Sequence, residues 1–135
     1  AGPSSDLPAA YAAATVVVSA ALQPEGVQRA LLEAQAMARP VIVSDLGAGS
    51  DVVLAAPAVS SDRITGFRVP AADAAALAAA LVGLFSMPEA ERRAIGLRGR
   101  AWPGGQRRHD AQALRRGRRT SKSRVKRGLF DIRRR

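Results

Sequence analysis

Two short runs of branched apolar residues, Val16-Val17-Val18 and Val41-Ile42-Val43, bracket a segment with a different hydrophobic period. Between them Val27, Ala30, Leu31, Ala34 and Met37 recur at the three- and four-residue spacing of one helix face. The order predicted is strand, loop, helix, strand. A residue before proline avoids helical dihedrals, so the helix should end near Ala38, ahead of Arg39-Pro40. Upstream, Asp6 can cap a short helix with Pro8 in its first turn and Leu7, Ala10, Tyr11 and Ala14 on one side. Thr15 to Ser19 read as a strand buried on both faces, as parallel strands in α/β domains are.

The same reading continues downstream. A strand at 41–44 leads into the glycine loop Gly47-Ala48-Gly49. Asp51 to Ala55 are expected to form a short helix, 57–62 a loop, and Ile64 to Val69 a third strand. Asp73 is an N-cap candidate for a helix over 74–85. Ser86-Met87-Pro88-Glu89 has the spacing of a capping box that opens a helix running to about Arg100. Met37, Met87 and Trp102 are read as packing residues.

Candidate chemistry gathers at the junction between the first strand and the central helix. A helix N-terminus offers unpaired N–H groups and partial positive charge, which suits phosphate. Gly26 lets a ligand approach the backbone. If helix runs through both, Glu25 and Glu33 are separated by roughly 12 Å of rise and about 80° of rotation. That is too far for two carboxylates flanking one bond at the retaining separation of about 5 Å. It suits two contacts on one elongated ligand, such as a sugar nucleotide. Taken alone, the pair has a simpler reading: Glu25 favours the positive helix end and Glu33 is a solvated face residue. Glycines at 47 and 49 permit close approach to a phosphate or sugar, although ordinary turns carry such glycines too.

Composition divides the chain in two. Residues 1–103 carry eight arginines against nine carboxylates, whereas 104–135 carry thirteen lysines or arginines against two aspartates. The net charge of +10 therefore belongs to the tail. The expected domains are 1–103, one modest α/β domain, and 104–135, a disordered or irregular basic tail. Three origins for the tail stay open: an out-of-frame product of a GC-rich gene, a solvated segment without a role, or a segment that binds an anionic membrane or, second to that, nucleic acid. Phe130 is the one aromatic residue there, which gives little support to base stacking. The chain has no cysteine, so disulfides and thiolate metal sites are excluded. The single His109 stands in the tail, where a solvated histidine is the default. The longest apolar run, Ala74 to Phe85, has 12 residues and supports no membrane span. A start at Ala1-Gly2 reads as a fragment or trimmed chain.

Several words in order resemble a family. Glu25 through Glu33 fits the E-x7-E signature of the family 4, or group 1, glycosyltransferases of GT-B fold. Asp6-Leu7-Pro8-Ala9-Ala10-Tyr11-Ala12-Ala13-Ala14 resembles the family's short helix before the strand. Leu32 through Ile42 resembles its helix-to-strand joint, and Asp45 through Val53 its Gly-Gly loop ending in an acid. Thr65 through Pro70, then Asp73 through Leu77, resembles its last strand and following helix.

The resemblance covers residue 6 to about 102. It implies a partial Rossmann-like parallel sheet with flanking helices, half of a GT-B C-terminal domain. It implies transfer of a hexose from a UDP-, GDP- or ADP-sugar to a glycan or lipid-linked acceptor with retention, and no metal or other cofactor. It casts Glu25 as the catalytic contact to the donor sugar, and Gly26 and Val27 as phosphate-binding amides. Glu33 becomes the ribose contact, with further loop contacts at Gly47 and Ala48. It places the protein in the cytoplasm, peripheral on the inner face of the plasma membrane. The sequence departs from the family at Val27, Gln28, Ala38, Ala48 and Asp51. A side chain at 28 is expected to crowd the phosphate, and turnover by this chain alone is not expected. The alternative reading is a basic protein that binds nucleic acid or an anionic membrane through 104–135.

Overall fold

The computed structural model describes residues 6–26, 28–47 and 51–102. Val27, Ala48, Gly49 and the basic tail lie outside the described residues. Three strands form one sheet in the order β1-β2-β3: β1 is Val17–Ser19, β2 is Val41–Ser44 and β3 is Gly66–Val69. Both pairings are parallel, with Val17 opposite Val41 and Val41 opposite Gly66. Helix α1, Leu7–Ala13, precedes β1, and α2, Arg29–Ala36, connects β1 to β2. After β3 come α3, Ala74–Ser86, and α4, Glu89–Ala101. This is the α/β arrangement expected from the strand–helix–strand pattern.

All four residues of β2 are buried. Its valines join Leu31 and Ala34 of α2 and Val52 and Val53 in one core cluster, against which Tyr11, Val17 and Leu32 pack. Burying each of the larger side chains contributes about 1.5–3 kcal/mol. Two expected caps form: the Asp6 carboxylate accepts from the Ala9 amide at 3.0 Å, and that of Asp73 from the Ala76 amide at 2.8 Å.

Other elements differ from the expectation. Strand β1 is three residues long and is not buried on both faces; Val18 is 39% exposed. It is the sheet's edge, with β2 alone beside it among the described residues. Residues 51–55 are not a helix but a turn whose backbone is claimed by neighbours. The Val52 carbonyl accepts from Gln35 Nε2 at 3.1 Å and the Val53 carbonyl from Arg68 Nε at 3.0 Å. The Leu54 amide donates to Thr65 Oγ1 at 2.9 Å, and the Thr65 amide donates back to the Leu54 carbonyl at 2.8 Å. That exchange also holds Ile64 and Thr65 out of β3. Ser86 is the last residue of α3 rather than a cap for α4. Pro88 keeps Met87 extended, and Pro88 itself stands at the N-cap without a side-chain cap. Arg92 instead reaches back to the carbonyls of Phe85 and Met87, at 3.1 and 2.5 Å. Met37 is not a core residue; it is 37% exposed.

The turn from α2 into β2 is tight. Ala38 has φ +55°, the left-handed region that its β-carbon disfavours. Its carbonyl is pressed against α4, where a β-carbon on Gly96 would lie 2.0 Å from the Ala38 oxygen. Gly96→Ala should therefore push α4 off this turn and lower stability by about 1–3 kcal/mol. Ala38→Gly should raise it by about 1 kcal/mol. Denaturant unfolding midpoints read both, and unchanged midpoints would contradict the close packing described.

Candidate functional site

Because the three strands are parallel, Ser19, Ser44 and Val69 end at the same edge of the sheet, and the chain segments that follow them meet there. In open α/β sheets this carboxyl edge is where ligands bind. Gly47 follows β2 with φ +52°. A β-carbon on it would sit 3.5 Å from Pro24 Cβ and 3.8 Å from the Glu25 carbonyl. The two loops singled out in the sequence are therefore brought into contact. The third strand joins them: the Asp45 amide donates to the Val69 carbonyl at 2.8 Å, and Arg68 lies 3.9 Å from the Asp45 carboxylate.

Helix α2 opens onto this mouth, but later than the hydrophobic pattern suggests. Gln28 is its N-cap, with an extended backbone and no side-chain cap. Glu25 and Gly26 therefore precede the helix. The separation reckoned along a continuous helix from Glu25 does not apply. The cause is a side-chain relay. Ser19 Oγ, at the end of β1, donates to Gln28 Oε1, and Gln28 Nε2 donates to the Glu25 carboxylate at 2.7 Å. This relay holds Gln28 in the extended backbone of an N-cap, and α2 starts at Arg29. Gln28 spends its side chain on Ser19 and Glu25 and makes no capping hydrogen bond to α2.

Glu33 stands elsewhere. It lines a groove of about 340 Å³ between α1 and α2, walled by Leu7, Pro8, Tyr11, Ala36 and Met37. The Tyr11 hydroxyl donates to Glu33 Oε2 at 3.1 Å, and Arg29, one turn earlier, lies 3.4 Å from Oε1. Glu25 is not on this groove, so the structure does not bring the two glutamates to one cavity. A larger groove of about 540 Å³ opens at the opposite edge of the sheet, beside Thr15, Ala38, Arg39, Arg93 and Arg100. None of the candidate residues lines it. No three His, Cys, Asp or Glu side chains converge among the described residues as a metal site.

Tyr11 and Ser19 were not among the residues the motif marks. Tyr11 matches the helix-before-strand word, but its meeting with Glu33, 22 residues away, depends on how α1 lies on α2. Partial burial pushes the Tyr11 phenol above its ordinary value of 10.0, and the hydrogen bond to Glu33 and its negative charge push the same way. Stability from this shift is present below about pH 10 and is lost as pH rises through the folded value. Tyr11 is the chain's one tyrosine, so phenolate absorbance reports it alone. Its titration midpoint should lie above 10.0 and fall in Glu33→Gln, staying above 10.0 because burial is the larger cause. A midpoint unmoved by that substitution would place Tyr11 and Glu33 apart.

A family model described as glycosyl transferases group 1 matches residues 1–87. Among solved structures, the chain is similar to sucrose-phosphate synthase from Thermosynechococcus elongatus, with 30% identity and a TM-score of 0.63, over 88% of this chain and 28% of that one. A glycosyltransferase from Rickettsia africae matches at 26% identity and TM-score 0.58, over 73% of this chain and 24% of that one. Anabaena HepE in complex with UDP-glucose matches at 19% identity and TM-score 0.65, over 89% and 30%. At that identity HepE speaks for the fold alone. No curated protein sequence matches. The chain thus spans less than a third of the length of each of these structures.

Proposed function

The chain belongs to the group 1 glycosyltransferases of GT-B fold, and on that premise we propose that its carboxyl-edge mouth holds the nucleoside-diphosphate sugar donor of a retaining hexosyl transfer. The observation that carries this reading is the contact of Gly47 with Pro24 and Glu25 beside the N-terminus of α2. The two loops meet there at the positive end of the α2 dipole, and a helix N-terminus is what suits a diphosphate.

In this reading the diphosphate lies over Gly26 and the first amides of α2. Glu25, held by Gln28 at the loop, accepts hydrogen bonds from the donor sugar hydroxyls. Glu33 accepts from the ribose. Gly47 lies on the sugar side. The protein's contribution to the transfer is electrostatic: fixed N–H dipoles stabilise the charge that gathers on the departing diphosphate. The leaving phosphate itself assists attack on the same face, and no metal ion is needed. The acceptor is a glycan or a lipid-linked sugar, met at the inner face of the plasma membrane. HepE has been solved with UDP, with UDP-glucose, and with UDP and glucose, which makes uridine nucleotides the first donors to try.

The chain as given binds the donor without transferring it. The acceptor-binding half and the basic residues that would steady the outer phosphates have no counterpart among the described residues. Calorimetric titration of the purified chain tests the reading. UDP and UDP-glucose should both bind saturably, with no transfer to added acceptor. Glu25→Ala should weaken UDP-glucose by roughly tenfold and leave UDP nearly unchanged, because that carboxylate meets the sugar. Glu33→Ala should weaken both. A chain that bound neither nucleotide, or that bound both unaltered after Glu25→Ala and Glu33→Ala, would contradict the assignment.

A further inference from the structure

We propose that Tyr11 is a positioning residue for nucleotide binding: from α1 it fixes the rotamer in which the Glu33 carboxylate receives the vicinal hydroxyls of a ribose. The inference rests on the reading of Glu33 given above and goes beyond it, since nothing in the E-x7-E spacing involves α1.

A glutamate's terminal torsion is broad and roughly two-fold, so its carboxylate turns freely unless something pins it. Arg29 does not pin it: its side chain is 80% exposed and the approach is 3.4 Å, a surface pair of little energetic consequence. Tyr11 does. Its ring packs against the buried cluster of Leu31, Ala34 and Val41, so the hydroxyl is presented from a fixed direction. That hydroxyl donates to Oε2 at 3.1 Å.

Each carboxylate oxygen accepts about two hydrogen bonds. After Tyr11 and Arg29, one acceptor position remains on each oxygen. A ribose cis-diol offers two O–H donors side by side, which matches two oxygens of one carboxylate. The groove beside Glu33 is otherwise apolar, with Leu7, Pro8 and Met37 on its walls. A carboxylate pinned at that wall is ordered before the ligand arrives, and its side-chain entropy is not lost on binding.

Tyr11→Phe removes the donor and keeps the ring. The experiment compares UDP with 2′,3′-dideoxy-UDP on the full chain, in wild type, Tyr11→Phe and Glu33→Ala, with unfolding midpoints measured alongside. Wild type should prefer UDP. Glu33→Ala should abolish the preference. Tyr11→Phe should weaken UDP by roughly threefold to tenfold and leave the dideoxy nucleotide unchanged.

If Tyr11→Phe retains the full preference while Glu33→Ala loses it, the positioning role is wrong and the functional reading survives. If Tyr11→Phe weakens both nucleotides equally, Tyr11 is structural only, and the proposal is overturned. If wild type binds neither nucleotide or shows no preference, or if Glu33→Ala keeps it, the reading of Glu33 falls and this inference falls with it.

Discussion

Strand β2 is buried along its whole length and flanked on both sides by parallel neighbours, and that constraint organises the rest of the described chain. Val41, Ile42 and Val43 have no solvent to face, and the register against β3 is set where Gly66 lies opposite Val41, since a β-carbon there would come within 2.5 Å of the Val41 oxygen. With β2 fixed, the registers of β1 and β3 are fixed too, and Ser19, Ser44 and Val69 finish at a common edge. The convergence of the Pro24–Glu25 and Gly47 loops follows from this register.

The two ends of α2 show how local rules yield to packing. At its start, a serine at the end of β1 and a glutamine nine residues past it share a hydrogen bond, and the helix begins only after that glutamine. At its end, Ala38 accepts a left-handed backbone so that the chain can turn into β2 under α4. Alanine pays there what glycine would not, roughly 1 kcal/mol. The first departure leaves Gln28 without a capping hydrogen bond to α2, and Glu33 stands one helical turn inside, beside α1.

Much of the fold was legible because the hydrophobic period changes cleanly. The branched run at 41–43 and the helical spacing from Ala30 to Ala34 mark β2 and α2, and Asp6 and Asp73 announce their helices by chemistry alone. The failures at 51–55 and around the two glutamates share a cause, a partner distant in sequence. Residues 51–55 have helix-compatible composition, but Gln35, Thr65 and Arg68 take their backbone groups. Ser86 has the spacing of a cap, but the helix before it claims it. Glu25 and Glu33 were legible as a pair through the family signature; that one sits in a loop relay and the other on an α1 wall was not, because Ser19 and Tyr11 enter only through tertiary contact.

The central claim is that the carboxyl edge of the sheet, and not the arginine-lined groove at the opposite edge, receives the diphosphate. Amide chemical shifts followed during a titration of the chain with UDP test this most directly. The account predicts the largest changes at Gly26, Gln28, Arg29 and Gly47, with Ala38 and Arg39 nearly still. Changes gathered instead around Arg39, Arg93 and Arg100, or none at the four mouth residues, would contradict it.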